Sequence, residues 1–298
     1  MTPKTFRRAV TLLPVTVLAV SLAACAGSSS APSDTASPST PAEAVGLAEG
    51  IPTEEITTTE NKELSAKLPE GFGETLDDAI DLSSPPARLV DEDGAPAGFD
   101  VDFSKLLAQK LGLESNVINV PFAQIIPGLA ADRYDLSIDN FSRTPEREAQ
   151  VDMVEYMYGS GGIAYAAGNP EGIDENLTSL CGLQLGVLSG SYQESTTVPE
   201  LNAECEAEDL EVATATSYGS NNEAILALGS RRIDAWLGNG TVAAYAAAQQ
   251  PEVFESTTLE GTWTHDNITL PKGSPLTDLV AEAFQELIDE GTYMQVLE

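Results

Sequence analysis

Residues 98–112 read GFDVDFSKLLAQKLG, and residues 117–120 continue as VINV. Residues 100–111 are predicted to form a helix, because Phe103, Leu106, Leu107 and Leu111 fall on one helical face. Gly112 is expected to end this helix, because glycine readily adopts the left-handed conformation that follows a helix. The second stretch is short and rich in β-branched residues, which is typical of a strand. A helix followed at once by a strand predicts an α/β fold.

The same alternation extends to both sides of this stretch. Strands are predicted at 79–82, 136–138, 183–188 and 233–237. Helices are predicted around 125–129, at 222–228 and at 276–288, the last ended by Gly291. Pro127 is compatible with its helix only if it lies in the first turn. No internal repeat interrupts the pattern.

The first 24 residues are typical of a signal peptide. Three basic residues precede an apolar run at 9–22, which is shorter than the roughly 20 residues that a membrane-spanning helix needs. The run leads into LAACAG at 22–27, which resembles the lipobox of bacterial lipoproteins. This resemblance implies cleavage after residue 24 and a diacylated Cys25, anchored stably by two acyl chains. An ordinary signal peptide with an incidental cysteine is the alternative.

The chain is strongly acidic, with 47 Asp and Glu against 14 Lys and Arg. Removal of residues 1–24 takes away three basic residues and no acidic one, so the net charge falls from −33 to about −36. Such a charge argues against nucleic acid and anionic lipid as partners. Residues 25–60 are rich in Ser, Thr, Pro, Ala and Glu, which predicts a disordered tether. The globular body is expected to begin at about residue 61.

Two cysteines remain once Cys25 is assigned to lipid. Cys181 and Cys205 are 24 residues apart, and in an oxidising compartment such an isolated pair predicts a disulfide. The chain-entropy treatment gives such a bridge about 3 kcal/mol of stabilisation. Two free buried thiols are the alternative. No cysteine or histidine spacing typical of a metal site occurs, and no cofactor motif is expected.

Short motifs follow one another in a fixed order along residues 74–298. They include GFDVD at 98–102, PF at 121–122, IIPGL at 125–129, TPER at 144–147, GS at 190–191, RIDA at 232–235 and DEGTY at 289–293. Together they resemble the extracellular solute-binding proteins, family 3, of polar amino-acid ABC importers. The resemblance implies a type II periplasmic-binding-protein fold with two α/β lobes joined by two hinge strands. One lobe would comprise 61–160 plus 265–298, and the other 161–264.

The resemblance also implies which residues bind the ligand. Arg147, the last residue of TPER, would grip an α-carboxylate, because a planar guanidinium can form two parallel charge-assisted hydrogen bonds with it. The alternative is a surface arginine paired with Glu146 or Glu148. Arg143, four residues earlier, is expected to be structural.

Asp139, Asn140 and Ser142 follow the strand predicted to end at Ile138. The resemblance places them on a loop that forms hydrogen bonds with the ligand. This agrees with the general rule that loops at the carboxyl ends of strands in α/β sheets bind ligands. Asp139 departs from the family, which often has a small uncharged residue there. Its charge could favour an amine, or it could cap the next helix or pair with Arg143.

In the second lobe, Ser191 would complete the carboxylate grip at a helix start, or simply cap that helix. Tyr192 replaces a small hydroxyl residue beside it and would reshape the pocket. Phe122 matches an aromatic lid over the ligand side chain, although a core position is equally compatible. Asn239 stands where the family usually has an Asp that binds the α-ammonium group; an amide there carries no charge, and Asp139 could take over that role.

Ser84 and Ala87 also depart from the family, which commonly supplies an aromatic platform at these positions. We therefore expect a membrane-anchored, extracytoplasmic monomer that captures a small polar solute, an amino acid or a related amine or carboxylate, for an ABC permease. A dehydratase-like enzyme on the same fold, with Asp139 as its acid or base, is one alternative. A ligand sensor that reports to a partner is the other.

Overall fold

The structure is a computed structural model, and it describes residues 56–298. The predicted signal peptide, the lipidated Cys25 and most of the predicted tether lie outside these residues. Residues 56–60 were expected in the tether but contact the body instead. Thr58 N donates to Gln109 Oε1 at 3.1 Å and Thr58 Oγ1 to Glu290 Oε1 at 2.9 Å, while Ile56 packs against the core.

Helices and strands alternate along the described chain. The first part contains α1 (Lys62–Ser65), β1 (Thr75–Ile80), β2 (Leu89–Val90), β3 (Pro96–Ala97), α2 (Phe99–Lys110), β4 (Glu114–Asn119), α3 (Phe122–Leu129), β5 (Ser137–Ser142), α4 (Pro145–Glu148) and β6 (Val151–Ala166). There follow a 3₁₀ turn (Leu177–Leu180), β7 (Gln184–Leu188), a π-helical turn (Gln193–Thr197), α5 (Val198–Ala207), β8 (Thr214–Tyr218), α6 (Asn221–Gly229), β9 (Ala235–Asn239), α7 (Gly240–Gln249), β10 (Phe254–Pro271), α8 (Thr277–Asp289) and α9 (Thr292–Leu297).

Two long antiparallel strands run through the whole body. β6 has 16 residues and β10 has 18, and they pair from Phe254 with Ala166 at one end to Pro271 with Val151 at the other. They belong to a six-stranded sheet of order β5-β10-β6-β9-β7-β8, whereas β1 and β4 form a separate parallel pair. These two strands are the connections that a two-lobed fold requires.

The hydrophobic cores separate into two groups along β6 and β10. One group surrounds Phe103, which packs against Phe284 and Tyr293, and it draws on residues before 157 and after 267. The other group uses residues 163–259 and contains the disulfide. We call the part around Phe103 the first lobe and the part within 163–259 the second lobe. The protein is therefore a two-lobed α/β protein, as predicted.

The two lobes touch each other directly. Asn221 at the start of α6 donates from its backbone N to Ser83 Oγ at 3.1 Å and from Nδ2 to Ser84 Oγ at 2.8 Å. Leu188 at the end of β7 packs into the first-lobe cluster that contains Phe122. We call the two bonds of Asn221 the lobe latch.

The predicted disulfide is confirmed. Cys181 Sγ and Cys205 Sγ lie 1.99 Å apart, and the bridge joins the end of the 3₁₀ turn to α5. α2 begins and ends within one residue of its prediction, with Gly112 at φ +71°. The expectation for Pro127 was wrong. α3 begins at Phe122, so Pro127 lies in its interior and the carbonyl of Ala123 loses its helical donor.

Candidate functional site

A cavity lies between the lobes, with its floor on the two long strands. It includes about 730 Å³ of space, part of it open to solvent. Its wall draws on both lobes and on β10. All eight residues that the sequence assigned to ligand binding line it, namely Phe122, Asp139, Asn140, Ser142, Arg147, Ser191, Tyr192 and Asn239. Their roles toward a ligand stay predictions.

Arg147 is a buried cation on this wall. Thr144 caps α4 by accepting from Arg147 N, which fixes the arginine in the first turn. Its Nη1 donates to Ser142 O at 2.7 Å and its Nη2 to Gly190 O of the second lobe at 3.0 Å. Within residues 56–298 no carboxylate oxygen lies within 4.0 Å of its guanidinium. Burial lowers the pKa of Arg147 to about 10, so it remains charged at neutral pH.

The predicted alternative, a surface arginine paired with Glu146 or Glu148, describes Arg143 instead. Arg143 Nη1 lies 2.6 Å from Glu148 Oε1, and the side chain is 41% exposed. Its Nη2 also donates to Asn267 Oδ1 at 2.9 Å. Arg143 therefore holds strands and helix together at the surface, in agreement with its predicted structural role.

Asp139 is paired with Arg88, a residue that the sequence did not single out. Arg88 Nε lies 2.8 Å from Asp139 Oδ1 in an ion pair without hydrogen-bond alignment. Arg88 Nη1 lies 2.5 Å from Asp100 Oδ2. All three side chains are buried, and Tyr156 Oη donates to Asp100 Oδ1 at 2.8 Å. Asp139 therefore neither pairs with Arg143 nor caps a helix, the two alternatives that the sequence left open.

Burial and ion pairing shift the pKa values of these buried side chains in opposite directions. Burial raises the pKa of Asp139 well above its ordinary value, and Arg88 opposes the rise. Burial also raises the pKa of Asp100 to about 6 against the effect of Arg88. Burial alone would lower the pKa of Arg88, but Asp139 and Asp100 raise it above its ordinary value. Arg88 therefore stays charged, and its charge is matched within the protein.

The polar residues after Ile138 lie within a strand rather than on a loop. β5 continues to Ser142 because it pairs with β10, where Asp266 faces Ser142 and Asn267 faces Phe141. The register then shifts, so Ile268 faces Ile138 and the residues between them bulge. Asn140 lies in this bulge at φ +48°, a conformation that asparagine tolerates. The bulge turns Asp139 and Asn140 toward the cavity.

Asp266 on β10 is a second acidic residue that lines the cavity, after Asp139. The sequence did not single it out. It is 1% exposed, and its Oδ2 accepts from Asn140 Nδ2 at 3.1 Å. Its Oδ1 lies 3.5 Å from Thr264 Oγ1. Burial raises the pKa of Asp266 to about 7. No residue pattern distinguishes this aspartate from the many surface carboxylates of so acidic a chain.

Ser191 and Asn239 both act as helix caps at the cavity. Ser191 Oγ accepts from Glu194 N at 3.1 Å, immediately before the π-helical turn. Asn239 Oδ1 accepts from Thr241 N at 2.9 Å at the start of α7. Tyr192 lies beside Ser191 and is partly exposed toward the cavity. The caps leave the hydroxyl hydrogen of Ser191 and the amide group of Asn239 free to donate.

Phe122 combines both of the roles that the sequence left open. Its ring stacks on Phe141 with centroids 4.4 Å apart and belongs to a buried cluster, yet it also lines the cavity. The guanidinium carbon of Arg147 lies 5.9 Å from the Phe122 ring and 5.2 Å from the Phe141 ring. These aromatic faces stabilise the buried cation.

Besides the ion-paired atoms Arg88 Nε and Asp139 Oδ1, two buried polar atoms on the wall have no hydrogen-bond partner within residues 56–298. They are Trp236 Nε1, a donor, and Asn221 Oδ1, an acceptor. Buried polar groups are rarely left unpaired in native proteins. Trp236 and Asn221 belong to the second lobe, and together with Ser84 of the first lobe they add polar groups to the cavity wall.

Within residues 56–298, no group of three or more His, Cys, Asp or Glu side chains is arranged to hold a metal ion. No helix described there combines the length and apolar character that a membrane crossing requires.

Comparison with known proteins agrees with this architecture. Residues 76–298 match the family described as bacterial extracellular solute-binding proteins, family 3. The arginine-binding protein ArgT of Corynebacterium glutamicum is 29% identical over 249 residues, covering 82% of this chain and 80% of that protein.

Two solved structures share the fold. An ancestral arginine-binding protein bound to arginine superposes with a TM-score of 0.66 at 27% identity, over 75% of this chain and 96% of that one. An ancestral amino acid-binding protein, a precursor of cyclohexadienyl dehydratase, gives 0.63 at 26% identity, over 75% and 93%.

Proposed function

Because the chain belongs to family 3 of the bacterial extracellular solute-binding proteins, we propose that it captures an amino acid outside the cytoplasmic membrane for an ABC importer. The observation that carries this proposal is Arg147, a buried cation on the cavity wall with no carboxylate within 4.0 Å among residues 56–298. A buried charge is costly unless an opposite charge meets it. The α-carboxylate of an amino acid would meet this one.

The surroundings of Arg147 suit a carboxylate. Its guanidinium carries five N–H donors, and the two bonds to Ser142 O and Gly190 O leave others free. A planar guanidinium can use them in two parallel bonds to one carboxylate. Ser191 can donate its hydroxyl hydrogen from the second lobe. A carboxylate held in this way would bridge the two lobes.

The charges of the cavity favour a solute that also carries a cationic group. Arg88 is matched by Asp139 and Asp100, whereas Asp266 has no cationic partner within 4.0 Å in the described chain. A solute with both a carboxylate and a protonated nitrogen would complement Arg147 and Asp266 together. Similarity to arginine-binding proteins agrees with this class. L-arginine is therefore the first ligand to test.

We further propose that Cys25 carries the lipid that keeps the protein at the outer face of the membrane. The basis is the lipobox-like LAACAG at 22–27, and two acyl chains would anchor it stably. Full-length protein with Cys25→Ser should lose incorporated labelled palmitate and leave the membrane fraction. Unchanged labelling would contradict the anchor.

Calorimetric titration with L-arginine tests the binding role. Arg147→Met should weaken binding at least about 30-fold, the low end for removing one partner of a buried charge pair. Arg143→Met is the matched control, since Arg143 lies four residues earlier but is 41% exposed and paired with Glu148. It should change the dissociation constant by less than about threefold. Equal affinity of Arg147→Met and the unaltered protein would refute the carboxylate grip.

The enzymatic alternative has a weaker physical basis. Its predicted acid or base, Asp139, is tied to Arg88 and accepts from Asp81 N at 2.6 Å. General acid–base catalysis needs a group free to exchange a proton with the reacting atom. Incubation of the protein with each ligand it binds, followed by mass spectrometry, should return the ligand unchanged. Formation of a product would favour the dehydratase-like alternative.

A further inference from the structure

Asp266 is the acidic group of the cavity whose charge the protein itself does not match. It lies on β10 at the floor of the cavity and is 1% exposed. Its polar contacts are with neutral groups, the Asn140 amide at 3.1 Å and the Thr264 hydroxyl at 3.5 Å. Within residues 56–298, no Lys, Arg or His nitrogen lies within 4.0 Å of its carboxyl.

The neighbouring backbone provides room for this carboxyl. Gly159 on β6 approaches it so closely that a Cβ atom there would lie 2.3 Å from Asp266 Oδ2. Any larger residue at position 159 would push the aspartate aside. A glycine in one hinge strand thus permits a buried carboxyl on the other.

Asn140 joins Asp266 to the matched charges. Its Nδ2 donates to Asp266, while its Oδ1 accepts from Arg88 Nη1. This arrangement orients the amide and presents a donor to the carboxylate. The guanidinium of Arg88 pairs with Asp139 and Asp100, so Asp266 receives donors from the neutral Asn140 and Thr264 side chains.

The charged groups around Asp266 leave room for one more positive charge. Burial raises its pKa to about 7; Asn140 opposes this rise, Asp100 adds to it, and Arg88 and Thr264 oppose it. Burial lowers the pKa of Arg147 and Asp266 opposes this; burial and Asp100 raise the pKa of Tyr156, and Asp266 adds to that rise. Asp139 on the cavity wall and Asp100 behind it share Arg88, so no cation within 4.0 Å among residues 56–298 is left for Asp266.

We propose that Asp266 binds the protonated nitrogen of the solute and takes the role that the family usually gives to an aspartate at position 239. This inference rests on the proposed function, because it assumes that the cavity holds an amino acid whose carboxylate meets Arg147. Asp266 and Arg147 then bind opposite charges of one solute. The pair restricts the site to molecules that carry both charges.

Calorimetry on Asp266→Asn tests the inference. Asparagine keeps the size of the side chain and removes its charge, so the variant should fold, as circular dichroism and thermal unfolding would verify. Its affinity for L-arginine should fall at least about 30-fold. Glu155→Gln is the matched control, since Glu155 lies on the neighbouring strand, is 40% exposed and pairs with His265. It should bind L-arginine as the unaltered protein does.

Two analogues identify which nitrogen Asp266 contacts. L-citrulline keeps the α-ammonium group but has a neutral side chain, whereas argininic acid keeps the guanidinium and lacks the α-ammonium group. If Asp266→Asn weakens binding of citrulline, the partner is the α-ammonium group. If it weakens only argininic acid and L-arginine, the partner is the guanidinium. Unchanged affinity for all three compounds would overturn the inference.

A second measurement needs no variant. A cation that binds Asp266 must displace its proton, so binding of L-arginine at pH 6 should release protons, seen as a dependence of the binding enthalpy on the ionisation enthalpy of the buffer. At pH 8.5 this release should disappear. Binding of L-arginine without proton release at pH 6 would overturn the role of Asp266 but not the proposed function. If the unaltered protein bound none of the three compounds, the proposed function itself would fail.

Discussion

Neutralising Asp139 should lower stability more than ligand affinity. The structure buries Arg88, Asp139 and Asp100 completely or nearly so, with Arg88 Nε 2.8 Å from Asp139 and Arg88 Nη1 2.5 Å from Asp100. The substitution Asp139→Asn keeps the size of the side chain and removes its charge. Arg88→Met removes the cation that serves both carboxyl groups.

The size of each effect follows from what remains buried. Removing one partner of a buried ion pair typically costs 3–5 kcal/mol, because the other charge is left uncompensated. In Asp139→Asn, Arg88 keeps Asp100, so we expect about 3 kcal/mol. In Arg88→Met two carboxyl groups lose their cation, so we expect about 5 kcal/mol. The double variant should recover at least about 1.5 kcal/mol relative to the sum of the single losses.

Urea unfolding at pH 7 with the disulfide intact measures these differences. For a body of this size, a loss of 3 kcal/mol should also lower the melting temperature by about 6–12 °C. Affinity for L-arginine should stay within about threefold in Asp139→Asn, because the carboxylate of Asp139 already pairs with Arg88. Additive losses of stability in the double variant would refute the pairing of Arg88 with Asp139. A large loss of affinity with unchanged stability would mean that Asp139 faces the ligand.

Three further predictions concern other parts of the second lobe and the first-lobe core. Replacing Cys181 and Cys205 by serine should lower the free energy of unfolding by about 3 kcal/mol, from the 24-residue separation in the chain-entropy treatment; urea curves would contradict this if they differed by less than 1 kcal/mol. Burial raises the pKa of Asp78 to about 7, so the native state binds more protons than the unfolded chain between its ordinary value of 3.8 and 7. Stability should therefore fall as pH rises from about 4 to 7, and Asp78→Asn should flatten the fall in urea midpoints; a midpoint independent of pH would refute this. Asn239→Asp keeps the cap of α7 and adds a carboxylate to the wall, so zwitterionic amino acids should bind more tightly in calorimetry, whereas weaker binding would show that the existing amide contacts the ligand.

The parts of the fold that the sequence predicted well depend on neighbouring residues. α2 carries its apolar face and its terminating Gly112 within one continuous stretch, so its bounds were nearly right. β5 was predicted too short, because its second half is polar and is held in the sheet by pairing with β10 more than 120 residues away. Local pattern cannot report such pairing.

The candidate site also divides into residues that a local motif identifies and residues whose role depends on distant parts of the chain. Arg147 was found because its motif is local and distinctive, and its burial without an acidic partner in the described chain fits the expectation. The partner of Asp139 was missed because Arg88 lies 51 residues earlier in the chain. Asp266 was missed for a related reason, since nothing near it in sequence shows that Gly159 opens a place for its carboxyl. The hypothesis that Asp139 takes the role of an aspartate at 239 is thereby transferred to Asp266.

The lobe latch has a kinetic consequence. The bonds from Asn221 to Ser83 and Ser84 join residues on opposite lobes, and Ser84 and Asn221 also line the cavity. If the lobes part to release a solute, these bonds must break first. The latch should therefore lengthen the residence time of the solute. The proposed transfer of the solute to a permease would require this contact to be weak, and two neutral hydrogen bonds meet that requirement.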